Sequence, residues 1–245
     1  MATFQDFKLQ DYCNEVIKEL GFQKPTPIQE KVIPLVLKNR DIIGISQTGT
    51  GKSHAFLLPI MSRIDVNKDC VQAVITAPTR ELAAQLFNNA KTFTKYLPEL
   101  RVSLIVGGSD RQRAVNKLST QPHVVIGTPG RIKDLSLDAQ ALQITTAKTF
   151  VVDEADMTLE FGYLEDIDAV AGKMSDDLQM MVFSATIPQN LRPFLKKYMQ
   201  SPVTIEIDSK LVTTANVEHI LLATKHQDRY DVLKKIMATI DPYIC

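Results

Sequence analysis

Residues 46–53 read Ser46-Gln47-Thr48-Gly49-Thr50-Gly51-Lys52-Ser53, two glycines followed at once by a lysine and a hydroxyl. Glycine-permitted turns let successive backbone N–H groups wrap a polyphosphate, and a helix opening behind them adds partial positive charge. Lys52 is then in reach of the β and γ phosphates, and the Ser53 hydroxyl is a ligand for Mg²⁺. The general phosphate-loop pattern has glycine where this chain has Ser46. A second stretch, Val151-Val152-Asp153-Glu154-Ala155-Asp156-Met157, sets three carboxylates behind a β-branched apolar pair. Taken alone it has two meanings. The acids suit the first turn of a helix, where the macrodipole favours negative charge, and they equally suit a metal site with a water-activating base. Beside a phosphate loop, Asp153 fits the metal holder and Glu154 the group that takes a proton from attacking water. Asp156 fits a helix cap or a tie to the nearby Ser184-Ala185-Thr186.

Such groups need rigid elements to hold them. Short apolar runs recur at Ile42–Ile45, 73–77, 102–106, 124–126, 150–152 and 181–183. Several are unalternating and rich in Val and Ile, as strands buried on both faces of a parallel sheet should be. Helical patterns lie between them at 53–63, 80–96, 110–119, 131–138, 158–173 and 188–199. In the one from Arg80, apolar residues at 82, 83, 86, 87, 90 and 93 share one face. Alternating strands and helices predict a doubly wound α/β domain, in which ligands bind beyond the carboxyl ends of the strands. Each run is followed by a loop with binding chemistry: SQTGTGKS, PTRE, GGSD, GTPGR, DEAD and SAT in turn.

The bulk numbers bound the reading. The chain has 245 residues, 44% hydrophobic and 23% charged, with 28 basic and 28 acidic residues and a formal net charge of zero. Zero net charge argues against holding nucleic acid by bulk electrostatics and leaves local grips open. Cys13, Cys70 and Cys245 lack metal-ligand spacing and read as free thiols in a reducing compartment. No apolar run reaches membrane-spanning length and MATFQDFKLQ lacks a signal-peptide core, so a soluble cytoplasmic protein is expected. VTIEID (203–208) reads as a last strand of the first domain, 209–216 as a linker, and 217–245 as the start of a second unit with a strand at HILLAT and a helix at Tyr230–Ile240. So short a β-α-β piece buries no core of its own, which predicts a chain cut inside a second domain.

The motifs together resemble the DEAD-box ATP-dependent RNA helicases, of a bacterial cytosolic type, over essentially the whole chain. Beyond SQTGTGKS and DEAD, the resemblance rests on Phe4 with Gly21-Phe22-Gln23-Lys24-Pro25-Thr26-Pro27-Ile28-Gln29, on PTRELAAQ (78–85), Gly107-Gly108, TPGR (128–131) and Ser184-Ala185-Thr186, in the family's order. On sequence alone GFQKPTPIQ is a proline turn before a helix. The resemblance makes it a Q motif (about 2–30), in which Gln29 hydrogen-bonds the adenine edge, Phe22 stacks on the ring and Lys24 lies nearby. An amide can pair bidentately with adenine and mismatches guanine. By the same resemblance, Pro78, Thr79, Arg80, Gly107, Gly108, Thr128, Gly130 and Arg131 contact RNA, gripping its backbone without reading sequence. Each of those loops taken singly is also a plain helix cap. Ser184 and Thr186 would bond Asp156 and couple nucleotide state to RNA binding.

The resemblance implies a RecA-like P-loop domain over 1–208, a mostly parallel sheet sandwiched by helices, followed by an incomplete second RecA-like domain over 217–245. It implies ATP and Mg²⁺ as cofactors, RNA as partner with ribosomal or RNA-decay proteins allowed, no membrane, and a monomer. Lys52, Asp153 and Glu154 would catalyse ATP hydrolysis coupled to local duplex unwinding or RNP remodelling. The second domain's arginine-finger segment does not occur in the sequence, so this fragment is expected to turn over little ATP alone. Two rivals stand beside it: a non-hydrolytic ATP-dependent RNA clamp, and a different P-loop motor acting on DNA. His54, the Met180–Met181 pair and Lys196–Lys197 carry no expected role beyond packing or solvation.

Overall fold

The computed structural model describes residues 2–108, 111–207, 224 and 228–240, and the chain divides into two units, Met1–Leu211 and Val212–Cys245. In the first unit seven strands, β1 (Ile42–Ile45), β2 (Ala73–Thr76), β3 (Val102–Ile105), β4 (Val124–Gly127), β5 (Thr149–Val152), β6 (Gln179–Ser184) and β7 (Val203–Glu206), form one sheet in the order β3-β4-β2-β5-β6-β1-β7. Every pairing is parallel, with Ile42 beside Met181 and Val203, and Ala73 beside Val124 and Thr149. Parallel sheets are covered on both faces. Here alternate residues of a strand enter opposite cores: Ile42, Ile75, Val151 and Phe183 belong to one, Ile43, Val74, Val152 and Val182 to the other.

The helices α1 (Asp11–Glu19), α2 (Pro27–Leu37), α3 (Lys52–Met61) and α4 (Arg80–Lys91) contribute to the first core. The second core takes residues from α6 (Pro129–Lys133), α8 (Leu164–Lys173) and α9 (Arg192–Tyr198). Completing the first unit are α5 (Arg111–Lys117) and α7 (Ala155–Glu160). In the second unit the described element is α10 (Arg229–Ile240). The expected linker at 209–216, and the strand at 219–224 apart from Thr224, lie outside the described residues. Among the described residues no helix is long and apolar enough to cross a membrane.

Two expected elements differ in detail. The helix expected over 158–173 is two helices, because Phe161-Gly162-Tyr163 turns between α7 and α8 with Gly162 at φ +77°, a conformation that glycine adopts without Cβ strain. Residues 131–138 begin as α6 and widen into a π-helical turn, Asp134–Asp138. At the amino edge of the sheet the buried Asp41 clips three strands together. Its Oδ1 accepts the Met180 N–H at 2.8 Å, its Oδ2 the Gln200 N–H at 2.6 Å, and its carbonyl the Val203 N–H at 2.8 Å. Removing a charged acceptor leaves donors without partners, so Asp41→Ala should cost roughly 2–3 kcal/mol. Urea unfolding checks this; a change within error would show that water replaces the carboxylate freely.

Candidate functional site

Because all strands run the same way, the loops after them open on one rim in the order of the sheet. From β3 inward come Gly107-Gly108, then Thr128–Arg131 after β4, Pro78–Arg80 after β2, Asp153–Asp156 after β5, Ser184–Thr186 after β6, and Ser46–Ser53 after β1. The phosphate-loop side and the arginine-bearing side are therefore separate, with the carboxylates between them.

On the first side, the backbone turns at Gly49 (φ +81°) and Gly51 (φ +93°) before α3 begins at Lys52. Ser46 stands in place of the pattern's glycine and has a use: its Oγ lies 3.0 Å from Thr50 Oγ1, which donates to the Gln47 carbonyl at 2.9 Å. Thr48 and Ser53 belong to the same loop and first turn. Lys52 is buried and donates to the Ser46 carbonyl at 3.0 Å, while pairing with Glu154 Oε1 at 3.0 Å. Gln29 is buried in the first turn of α2. Its Oε1 accepts the Thr26 N–H at 3.0 Å and its Nε2 donates to the Gly51 carbonyl at 3.2 Å, so the amide touches the phosphate loop itself. A Cβ at Gly51 would stand 2.8 Å from that Nε2. The half-buried Phe22 ring lies between Phe4 (6.3 Å, 21°) and His54 (4.9 Å, 83°), and Lys24 is exposed.

At the end of β5, between β2 and β6, the acids take three different positions. Asp153 is buried, its N–H donates to the Thr76 carbonyl, and its Oδ1 has no hydrogen-bond partner. Burial and the neighbouring Glu154 charge push its pKa up to about 7, against the pull of Lys52. Glu154 has φ +46°, a left-handed conformation costing of order 1 kcal/mol for a side chain of this kind. Asp156 is tied to the β6 loop: its N–H donates to Ser184 Oγ at 3.0 Å, and its Oδ2 accepts from Thr186 N at 3.1 Å and Thr186 Oγ1 at 3.3 Å. Burial alone would raise its pKa, but these bonds and the Met157 N–H hold it below the ordinary carboxylate value. Among the described residues no group of three or more His, Cys, Asp or Glu could cage a metal. A cation bound at Asp153 would therefore take most of its ligands from phosphate and water, as Mg²⁺ usually does. The partnerless buried Oδ1 fits such a cation.

The second side is a cleft of about 600 Å³ lined by Pro78, Thr79, Arg80, Gly107, Thr128, Gly130 and Arg131, joined by Glu81, Asp134, Phe161 and Tyr163. Thr79 caps α4, its Oγ1 accepting the Leu82 N–H at 3.2 Å. The Arg80 guanidinium lies over the two glycines, so close that a Cβ at Gly108 would be 2.6 Å from its Nη1. Arg131 donates to Asp134 Oδ2 at 2.6 Å, and Arg111 grips Asp134 Oδ1 from Nε and Nη2 at 2.9 and 2.7 Å. Arg111, then Arg131, hold the Asp134 carboxyl below its usual pKa. Asp134, Phe161 and Tyr163 carry no signal in the sequence, since nothing in a π-helical turn or a helix break announces that it faces a cleft.

The raised pKa of Asp153 has a sign that can be checked in metal-free protein. With the folded value at about 7 and the unfolded value near 3.8, the folded state binds the extra proton between them, and stability falls as pH rises through that window. Asp153→Asn should leave the melting temperature unchanged near pH 4 and raise it by several degrees at pH 8. Equal shifts at both pH values would show that Asp153 titrates normally.

Comparison with known proteins gives the family. The DEAD/DEAH box helicase profile matches residues 26–194. The chain is 51% identical over 244 residues to the DEAD-box ATP-dependent RNA helicase CshB of Listeria monocytogenes, and 48% identical over 245 residues to CshB of Bacillus subtilis, covering 99% of this chain and 56% of the relative in each case. It thus spans little more than half the length of these relatives. Among solved structures, a DEAD box protein from Methanococcus jannaschii superposes with TM-score 0.78 at 30% identity, covering 96% of this chain and 63% of that one. Saccharomyces cerevisiae Dbp5 bound to RNA and ADP BeF3 superposes with TM-score 0.75 at 32% identity, over 85% of this chain and 53% of that one. The fold is RecA-like, and the chain belongs to the DEAD/DEAH box helicase family.

Proposed function

We propose that this chain is the ATP-binding wall of an RNA helicase core, with Mg²⁺·ATP at the ends of β1 and β5 and one RNA strand across the ends of β2, β4 and β3. The observation that carries the proposal is the rim order: phosphate-binding and arginine-bearing loops lie on opposite sides of one carboxylate-bearing strand. Its similarity to proteins named ATP-dependent RNA helicases, and to Dbp5 bound to RNA and ADP BeF3, supports the same reading. Residues 217–245 would begin a second domain of the same kind.

In this reading the N–H groups of Gln47–Gly51 wrap the phosphates, and Phe22, Lys24 and Gln29 select adenine. Ser53 and Asp153 would hold Mg²⁺, which when bound would neutralise charge on the β and γ phosphates. Lys52 now spends its ammonium on Glu154 and the Ser46 carbonyl. Exchanging those partners for phosphate oxygens frees the Glu154 carboxylate to orient water in line with the γ-phosphate and accept its proton. The left-handed backbone at Glu154 aims that carboxylate without relying on side-chain freedom. Asp156, bonded to Ser184 and Thr186, transmits displacement of the β5 loop to β6. Pro78, Thr79, Arg80, Gly107, Gly108, Thr128, Gly130 and Arg131 hold the sugar–phosphate chain, which suits a zero net charge because a few placed donors replace a basic surface.

Two measurements test this. In the whole protein Glu154→Gln should retain Mg²⁺·ATP binding within a few-fold and lower RNA-stimulated turnover by 10²-fold or more, about the worth of a general base. Turnover near wild type would remove Glu154 from the chemistry. Gly108→Ala should displace the Arg80 guanidinium and reduce single-stranded RNA affinity about ten-fold, with the slope of log affinity against log salt shallower by roughly one contact. Unchanged affinity and slope would show that Arg80 makes no phosphate contact.

A further inference from the structure

The cleft between Arg80, Gly107 and Arg131 carries one surface that phosphate binding does not use. Among the described residues of the first unit, two large apolar or aromatic side chains are more than a third exposed: Tyr96 at 39% and Phe161 at 53%. The exposure of Tyr96 has an account, since its hydroxyl bonds Glu19 at 2.9 Å. Phe161 has no polar atom to place in water, and it lines the cleft.

Its position is fixed rather than incidental. Three backbone bonds close the turn around it: Phe161 N–H to the Met157 carbonyl (3.0 Å), Gly162 N–H to the Leu159 carbonyl (2.9 Å) and Tyr163 N–H to the Thr158 carbonyl (3.0 Å). Gly162 takes the left-handed conformation that lets α7 end there. The Tyr163 ring supports Phe161 from one side, with centroids 6.4 Å apart at 60°, and itself approaches Gly130 of the β4 loop. Tyr163 covers Phe161 in part only, and the ring stays more than half exposed. A rigid aromatic ring with two side-chain torsions, held on a closed turn beside arginine-bearing loops, is the form that nucleobase stacking takes in single-strand binding proteins.

We propose that Phe161 is a stacking post for one nucleobase of the bound strand, adding a base-directed apolar contact to a grip otherwise made on phosphates. The inference rests on the RNA reading of the cleft. Every base presents a π-face, so the contact fixes the register of the strand without selecting its sequence. One nucleotide is thereby tied to the turn between the DEAD segment and α8.

The test uses a short oligouridylate carrying a single 2-aminopurine, moved along successive positions, titrated at low salt with wild-type protein and with Phe161→Ala, Phe161→Leu and Phe161→Trp. The expected result is one position whose emission is quenched by wild type and Phe161→Trp and not by Phe161→Ala or Phe161→Leu. Phe161→Ala should bind the strand about ten-fold more weakly. An abasic nucleotide at that position should weaken wild type equally and leave Phe161→Ala unaffected. Because Phe161 is half exposed, melting temperatures should stay together, which separates stacking from misfolding. RNA binding by wild type with an identical quenching profile in Phe161→Ala overturns the stacking inference and leaves the RNA reading standing. Absence of RNA binding by wild type overturns both.

Discussion

Parallel pairing leaves no choice about which end of a strand meets which loop. With β3, β4, β2, β5, β6, β1 and β7 all running one way, each carboxyl end opens on the same edge, and residues far apart in sequence become neighbours at about one strand spacing, near 4.8 Å. Ser46 meets Ser184 of the adjoining strand for that reason, and the long Lys52 side chain reaches Glu154 two strands away, past β6. Shifting β1 by one residue against β6 would turn each of its side chains to the other face and dissolve both core layers with the site. Asp41, on the opposite edge, bonds β6 and the chain entering β7 where such a slip would begin.

What this scaffold holds is costly to hold. The Lys52 ammonium and the carboxyl groups of Asp153 and Glu154 lie buried together at one end of the sheet, and a buried ion pair offsets little more than its own desolvation. Glu154 adds backbone strain, and Asp153 keeps an oxygen without a partner. None of this is explained by stability, since an apolar cluster of equal volume would pack as well. Local rules broken together at one strand end accord with the proposed nucleotide site, where chemistry rather than folding would set the composition.

Much of the fold was legible because periodicity reports burial. The unalternating runs at 42–45, 73–77 and 124–126 had to be covered on both faces, and they are. Boundaries slipped where tertiary packing decided: the helix pattern through 158–173 is continuous in apolar spacing, and only Gly162 marks the break. Helix α1 carries its own signal, with Cys13, Val16 and Ile17 buried on one face, but Gln10 offers a weak cap and the stretch invites no element. The stretches 46–53 and 153–156 could be singled out in the sequence because their spacing is local. Asp134, Phe161 and Tyr163 could not, since their meaning comes from a cleft assembled by other strands. Gln29 lies between these cases. Its place in the first turn of α2 follows from the prolines before it, but its bond to the Gly51 carbonyl depends on how α2 packs against α3.

That bond makes the amino-terminal segment a working part of the loop it precedes by some twenty residues. One amide group holds the Thr26 N–H and the Gly51 carbonyl at once, so the start of α2 and the phosphate loop cannot drift apart independently. The segment before β1 is thereby a strut, joined to the loop by a side chain as well as through the chain that runs between them. A length change between Thr26 and β1 would thus break a contact of the loop without touching the loop's own residues.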